Sequence, residues 1–252
     1  MAEEIVVLGI PLADLPIAEA VARGLEGGLV LAPSGPGLTD LPNDPHYREA
    51  LLGSDLNLTD SSFVLLVRLV RGHRLAARTS GLRYLRELLR DPSLHREQAT
   101  YWVMPSRASM ERNLDWLSAI GLQVTEENCY LAPLYPRRGP VEDRELLELL
   151  ERRRPPHVFL CIGSGVQEKL GLYLKRNLGY APGIHCVGAA IAFLSGDQAR
   201  IPPWADRAGL GWLVRCIREP RVFVPRYLRA FKLAYLVLRY DEKPPRPMVT
   251  GK

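Results

Sequence analysis

Two glycines one residue apart, in Gly163-Ser164-Gly165, follow an apolar run at residues 158–162 and precede a helical pattern at 167–178. Glycines between a strand and a helix let the backbone come close to a ligand, and the helix N-terminus beyond them offers N–H groups and a positive dipole end to a phosphate. The same turn also forms for packing alone, and Glu168 stands where a dinucleotide fingerprint has its third glycine. A second candidate is Asp60, at the end of a short strand in Leu58-Thr59-Asp60-Ser61-Ser62. Ligands of open α/β sheets lie outside the carboxyl ends of strands, where a carboxylate can serve as a general base. The alternative is that Asp60 or Ser61 only caps the next helix. A third is the loop at residues 32–40, Ala-Pro-Ser-Gly-Pro-Gly-Leu-Thr-Asp, which suits a sugar pocket or a plain turn. The fourth is Arg200-Ile201-Pro202-Pro203-Trp204 with Arg215, Arg218 and Arg221. Arginines brace a departing diphosphate through bidentate contacts, or else form a solvated basic face. His46, His73, His95, His157 and His185 have no metal-ligand spacing, and His185, on an apolar strand, reads as a core residue. There is no GxSxG elbow, HExxH or P-loop.

Elements must hold these groups in place. Short apolar runs bounded by turn residues predict strands at residues 5–9, 28–32, 56–58, 99–104, 122–125, 158–162 and 185–187. Helical spacing predicts helices at 15–25, 44–52, 62–71, 82–89, 110–120, 143–153 and 167–178, with Asp44 as N-cap and Pro45 as first helical residue. Alternation of this kind predicts an α/β fold with a mostly parallel sheet flanked by helices. From Pro202 onward only helices follow, and the last segment, 241–252, with three prolines, is expected to be poorly ordered.

The chain has 252 residues, 47% hydrophobic and 24% charged, a composition that excludes disorder and collagen-like repeats. No apolar run reaches the length of a spanning helix. Cys129, Cys161, Cys186 and Cys216 are scattered, which fits buried thiols in a reducing compartment. The start, Met-Ala-Glu-Glu, lacks a basic leader, so a cytosolic chain is expected. Charge is uneven: residues 200–252 hold twelve Lys/Arg against four Asp/Glu, a net +8, which leaves the rest at −3. Such tails meet nucleic acid, anionic lipid or phosphorylated substrates, and no nucleic-acid module is visible. On a helical wheel Arg226, Arg229, Lys232 and Arg239 fall on one arc, and Tyr227, Leu228, Phe231, Tyr235 and Leu238 on the other. That pattern fits a helix lying in a membrane interface, and equally an ordinary helix packed on the body.

From Gly163 to Tyr227 the order of features resembles the WecG/TagA/CpsF glycosyltransferases, glycosyltransferase family 26. The stretch contains Gln167-Glu168, the run from Val187 to Gly196, Arg200-Ile201-Pro202-Pro203-Trp204, Gly209-Leu210-Gly211-Trp212-Leu213-Val214-Arg215, Glu219-Pro220-Arg221 and Arg226-Tyr227. A weaker match spans 44–68 and Arg78-Thr79-Ser80-Gly81. The resemblance implies a Rossmann-like core, residues 1–200, and a basic helical appendage, 201–252, that touches the inner face of the cell membrane. It implies inverting, metal-independent transfer of an N-acetylhexosamine, usually N-acetylmannosamine, from a UDP-sugar to a polyprenyl-diphosphate-linked acceptor, with no cofactor and no nucleic acid. By position, Asp60 matches the family's catalytic Asp. Gly163, Gly165, Gln167 and Glu168 match its nucleotide-sugar site, and Arg215 and Arg221 its tail arginines. Ser34 stands in the family's acceptor-side Thr-x-Asn segment, with Thr39 and Asn43 as nearby substitutes. Departures occur at Ala32, Ser34, Ser61 and Gly211.

Three readings follow: a membrane-surface glycosyltransferase, an inactive homologue that scaffolds envelope-polymer assembly, and a nucleotide-cofactor oxidoreductase, against which the missing third glycine counts.

Overall fold

The chain opens with a hairpin. β1 (Glu3–Val7) pairs antiparallel with β2 (Ile10–Asp14), Val7 opposite Ile10, around Leu8 and Gly9. Both turn residues have positive φ (54° and 76°), the geometry of a tight turn that matches strand twist. The strand expected at 5–9 therefore lies outside the main sheet, and β2 had no forecast. The computed structural model describes residues 3–74, 76–197, 202–208, 210–218, 220–221 and 230–246.

Among the described residues, the main sheet comprises β3 (Gly28–Leu31), β4 (Leu56–Asn57), β5 (Thr100–Met104), β6 (Cys129–Leu131), β7 (His157–Leu160) and β8 (Gly183–Cys186). The order is β4-β3-β8-β7-β5-β6, and all pairings are parallel. The α/β, Rossmann-like expectation holds. The strand expected at 122–125 is absent: a 3-10 turn capped by Thr125 fills residues 126–128, and β6 begins at Cys129.

The helices bounded within the described residues are α1 (Ile17–Glu26), α2 (Gly35–Leu38), α3 (Pro45–Leu52), α4 (Ser62–Val70), α5 (Gly81–Leu88), α6 (Arg107–Ala119), α7 (Arg144–Arg153), α8 (Gln167–Asn177), α9 (Ala190–Ser195), α10 (Pro203–Arg207), α11 (Gly211–Arg218) and α12 (Ala230–Tyr240). Their starts follow local chemistry. Asp44 caps α3 by accepting from Tyr47 N–H at 3.0 Å, with Pro45 first; Ser61 caps α4 and Ser80 caps α5.

Strand residues alternate between two cores, as a sheet covered on both faces requires. Leu29, Leu31, Val103, Leu160 and Ile184 pack with α3, α4, α7, α8 and α12; Val30, Trp102, Met104 and Phe159 pack with α1, α5, α6 and α9. Helix α8 lies hard against the strands because Gly171 has no side chain: a Cβ there would stand 2.7 Å from Leu29 Cδ1 and 2.9 Å from Cys186 Sγ.

The C-terminal segment is tied down as far as Pro244, contrary to the expected disorder from 241. Asp241 carbonyl accepts from Leu8 N–H at 2.7 Å, its carboxylate meets His73 Nε2 at 2.9 Å, and Gly9 abuts Pro244. The buried Arg68 donates to Val6 carbonyl at 2.6 Å and faces Asp241 and Glu242. Residues 247–252 lie outside the described residues, as do Arg200, Ile201, Gly209, Glu219, Arg226, Tyr227, Leu228 and Arg229.

Candidate functional site

Because β3, β4, β7 and β8 are parallel, the loops that follow them emerge at one edge of the sheet. Asp60 stands there after β4, half-buried. Its Oδ1 accepts from Gly81 N–H at 2.9 Å, and its backbone carbonyl accepts from Arg78 Nε at 3.0 Å. The carboxylate is thus held at the first residue of α5, where the helix dipole favours a negative charge. Ser61, not Asp60, caps α4, with Oγ accepting from Val64 N–H at 3.3 Å. Gly81 also touches the loop after β3: a Cβ there would be 2.9 Å from Ala32 Cβ.

The loop after β3 carries Ser34, whose Oγ accepts from Gly37 N–H at 3.2 Å and donates to Ser164 Oγ at 3.4 Å. Thr39 is buried, with its hydroxyl turned back onto Pro36 carbonyl at 2.7 Å. Asn43 is exposed in the turn before α3. Gly35 faces Ser61: a Cβ on it would be 2.7 Å from Ser61 Oγ and 3.3 Å from Leu233 Cδ2 of α12. Contacts therefore run without a break from Asp60-Ser61 through Ser34-Gly35 to Ser164.

After β7 the glycine turn takes the left-handed conformation at Gly165 (φ 87°). Gly163 is exposed and its carbonyl accepts from Val166 and Gln167 N–H. Gly165 N–H is already used: it donates to Glu168 Oε2 at 2.6 Å. Glu168 is fully buried and also accepts from Ser164 Oγ at 3.2 Å and Gln167 Nε2 at 3.4 Å. Burial raises its pKa above the usual carboxylate value, against the lowering effect of these hydrogen bonds. Gln167 is buried too; its Oε1 accepts from Gly188 N–H at 2.8 Å and so joins the loops after β7 and β8. Tyr47 of α3 is buried behind Ser164, and burial together with the Glu168 charge pushes its hydroxyl pKa up.

The structure brings Asp60, Ser34, Gly163, Gly165, Gln167 and Glu168 to one edge. It turns Thr39 inward, and Arg221 is exposed just past α11. Arg215 is on α11, but its side chain is outside the described residues. Sequence reasoning assigned no role to Ser164, Tyr47, Arg78 or Gly81. A Ser-Gly helix start was legible at 80–81, but nothing local signals that Gly81 meets a carboxylate 21 residues earlier. Among the described residues no group of His, Cys, Asp and Glu is arranged to hold a metal ion, and no helix is long and apolar enough to cross a membrane.

A family model described as "Glycosyl transferase WecG/TagA/CpsF family" matches residues 5–246. The chain is also similar to the N-acetylglucosaminyldiphosphoundecaprenol N-acetyl-beta-D-mannosaminyltransferase of Bacillus subtilis (strain 168), 24% identical over 200 residues, which covers 79% of this chain and 74% of that protein.

Proposed function

The chain belongs to the WecG/TagA/CpsF glycosyl transferase family, and on that premise we propose that it moves an N-acetylmannosamine-like N-acetylhexosamine from a UDP-sugar to a polyprenyl-diphosphate-linked acceptor sugar for cell-envelope polysaccharide. The reaction inverts the anomeric carbon and uses no metal. Membership of a transferase family takes the place of the oxidoreductase reading. The Bacillus subtilis relative is named for a lipid-diphosphate-linked N-acetylglucosamine acceptor, and the same acceptor class is proposed here.

The observation that carries this reading is the seat of Asp60: half-buried at the carboxyl edge, one oxygen fixed by Gly81 N–H, and one loop away from the glycine turn. The acceptor hydroxyl attacks the anomeric carbon on the face opposite UDP. Its proton passes to Asp60, the new C–O bond forms, and the bond to the diphosphate breaks with its electron pair leaving on UDP. Arg215 and Arg221 neutralise the charge that develops on the leaving diphosphate. Gln167 and Glu168 serve the donor from behind by holding the turn at Gly163–Gly165 and the Gly188 loop in place. Ser34 and Asn43 have the exposure that acceptor contact needs, while Thr39 shapes α2. The acceptor's lipid stays in the bilayer, so the basic 201–252 segment docks the enzyme peripherally on an anionic membrane surface, on its inner face.

The test is UDP release from UDP-N-acetylhexosamines with a lipid-linked acceptor. Asp60→Asn keeps an acceptor for Gly81 N–H and removes the base, so turnover is expected to fall by about 10²–10⁴-fold. Unchanged turnover removes Asp60 from the mechanism. A wild-type protein that turns over no UDP-sugar yet binds vesicles favours the scaffold reading instead.

A further inference from the structure

We propose that α4, a helix of the sheet domain, forms a second half of the membrane-docking surface beside α12, so that the bilayer is met by a helix that starts next to the candidate base. This rests on the membrane-surface reading above. The two helices lie side by side and run the same way. Leu233, early in α12, reaches Gly35 beside Ser61 at the start of α4, and Asp241, past the end of α12, faces Arg68 and Arg71 at the end of α4. Each buries one apolar stripe: Val64, Leu65 and Val67 on α4, and Leu233, Leu236 and Val237 on α12.

Each also has a second apolar stripe that none of the described residues covers. On α4 it is Leu66, Leu69 and Val70 (57%, 49% and 76% exposed); on α12 it is Phe231, Tyr235 and Leu238. A surface helix needs only one apolar stripe, and a second one implies a second apolar environment. The charges around it select that environment. Residues 61–86 contain six arginines and no Asp or Glu, and α12 carries Lys232 and Arg239 with no acid. Arg68 is buried and the other five reach the surface; of the acids nearby, Asp241 and Glu242 face Arg68, Arg71 and His73, and Asp14 faces Arg74. An apolar face with a cationic rim fits anionic lipid, whereas two copies meeting here would set arginines against arginines. Tyr235 has the amphipathic form favoured at a lipid–water boundary. Ser61 caps α4 and follows Asp60, so lipid contact along α4 delivers the acceptor's diphosphate end to the carboxyl edge.

The experiment uses the full chain and sedimentation with vesicles of phosphatidylglycerol and phosphatidylcholine. The variant Leu66→Gln/Leu69→Gln/Val70→Gln is compared with Phe231→Gln/Leu238→Gln and with wild type. Each variant is expected to partition onto vesicles about tenfold or more weakly. UDP release with a water-soluble, short-chain acceptor and the thermal midpoint should stay at wild-type values. If the triple variant loses its thermal transition, Val70→Gln alone takes its place, with an expected loss of about threefold. Vesicle binding unchanged in the α4 variants but lost in the α12 variant overturns the role of α4 and leaves the tail reading standing. Wild-type protein that ignores vesicles overturns both, while its turnover on the short-chain acceptor still scores the transferase reading. A dimeric wild type that becomes monomeric on α4 substitution, with vesicle binding intact, assigns the face to a second copy and overturns the proposal.

Discussion

Glu168 occupies the place where an anion would bind the glycine turn. Its carboxyl, itself fully buried beneath a turn that reaches the surface at Gly163, takes Gly165 N–H and Ser164 Oγ–H, and burial favours its neutral form. In Glu168→Ala the Gly165 N–H is left without its acceptor beside a cavity, and a loss of about 2 kcal/mol is expected by urea unfolding, with a raised donor KM. Glu168→Gln keeps an acceptor for that N–H and resembles the neutral acid, so it should lose less than about 1 kcal/mol and retain donor affinity. If the Gln variant loses donor binding as fully as the Ala variant, Glu168 touches the donor and the positioning role is wrong. Gln167 works by the same logic, because its Oε1 is the acceptor for Gly188 N–H between two loops.

Whole elements aim the residues. The carboxylate of Asp60 is set by the start of α5, and α5 can approach the loop after β3 only because residue 81 has no Cβ. Gly81→Ala places a methyl 2.9 Å from Ala32 Cβ and pushes the Asp60 anchor aside. A fall in kcat of about tenfold with KM little changed is expected, and Ala32→Gly in the same chain should restore most of it. Failure of that rescue means the two loops do not act through this contact. At the other end of α12, Asp241 ties the helix to His73 and Arg71, and these partners hold its carboxyl below the usual range despite burial. Asp241→Asn should cost about 1 kcal/mol at neutral pH, a partly exposed pair being screened by solvent. Its stability should approach that of wild type as the pH falls through the depressed pKa and the wild-type carboxylate protonates. An unchanged urea midpoint at pH 7 counts against the strap.

At the scale of the molecule, a sheet covered on both faces encloses polar groups along with apolar ones. His185 is fully buried; its Nδ1 pairs with Tyr84 Oη at 3.0 Å and its Nε2 with His157 Nδ1 at 3.2 Å. Burial lowers the pKa of both histidines, with His157 adding to the effect on His185. The unfolded chain then binds more protons than the native one below about pH 6.5. Stability contributed by the neutral pair is full above that pH and declines as acid is added. The thermal midpoint should therefore drop between pH 7 and pH 5. In His185→Gln it should start lower, by about 1–3 kcal/mol of stability, and depend less on pH. Equal pH slopes in the two proteins defeat this account. Glu168, whose raised pKa acts in the opposite direction, is common to both and cancels in the comparison.

The local alphabet of the chain was enough for the α/β architecture. Apolar runs bounded by turn residues located β3, β5, β7 and β8, and Asp44-Pro45 located the start of α3, because capping and strand burial act over a few residues. Asp60 and the glycine turn were legible for the same reason, as residue types at the ends of strands. Tertiary structure alone decided what is joined across long sequence distances. It folded β1 away into a hairpin, brought Gly81 N–H to Asp60, and buried Glu168 beneath its own turn. It also chose which apolar stripe of α12 faces inward: Leu233, Leu236 and Val237 pack, while Phe231, Tyr235 and Leu238 remain exposed. Periodicity marks a stripe as apolar but not its partner, since that depends on which neighbour the rest of the chain delivers to it.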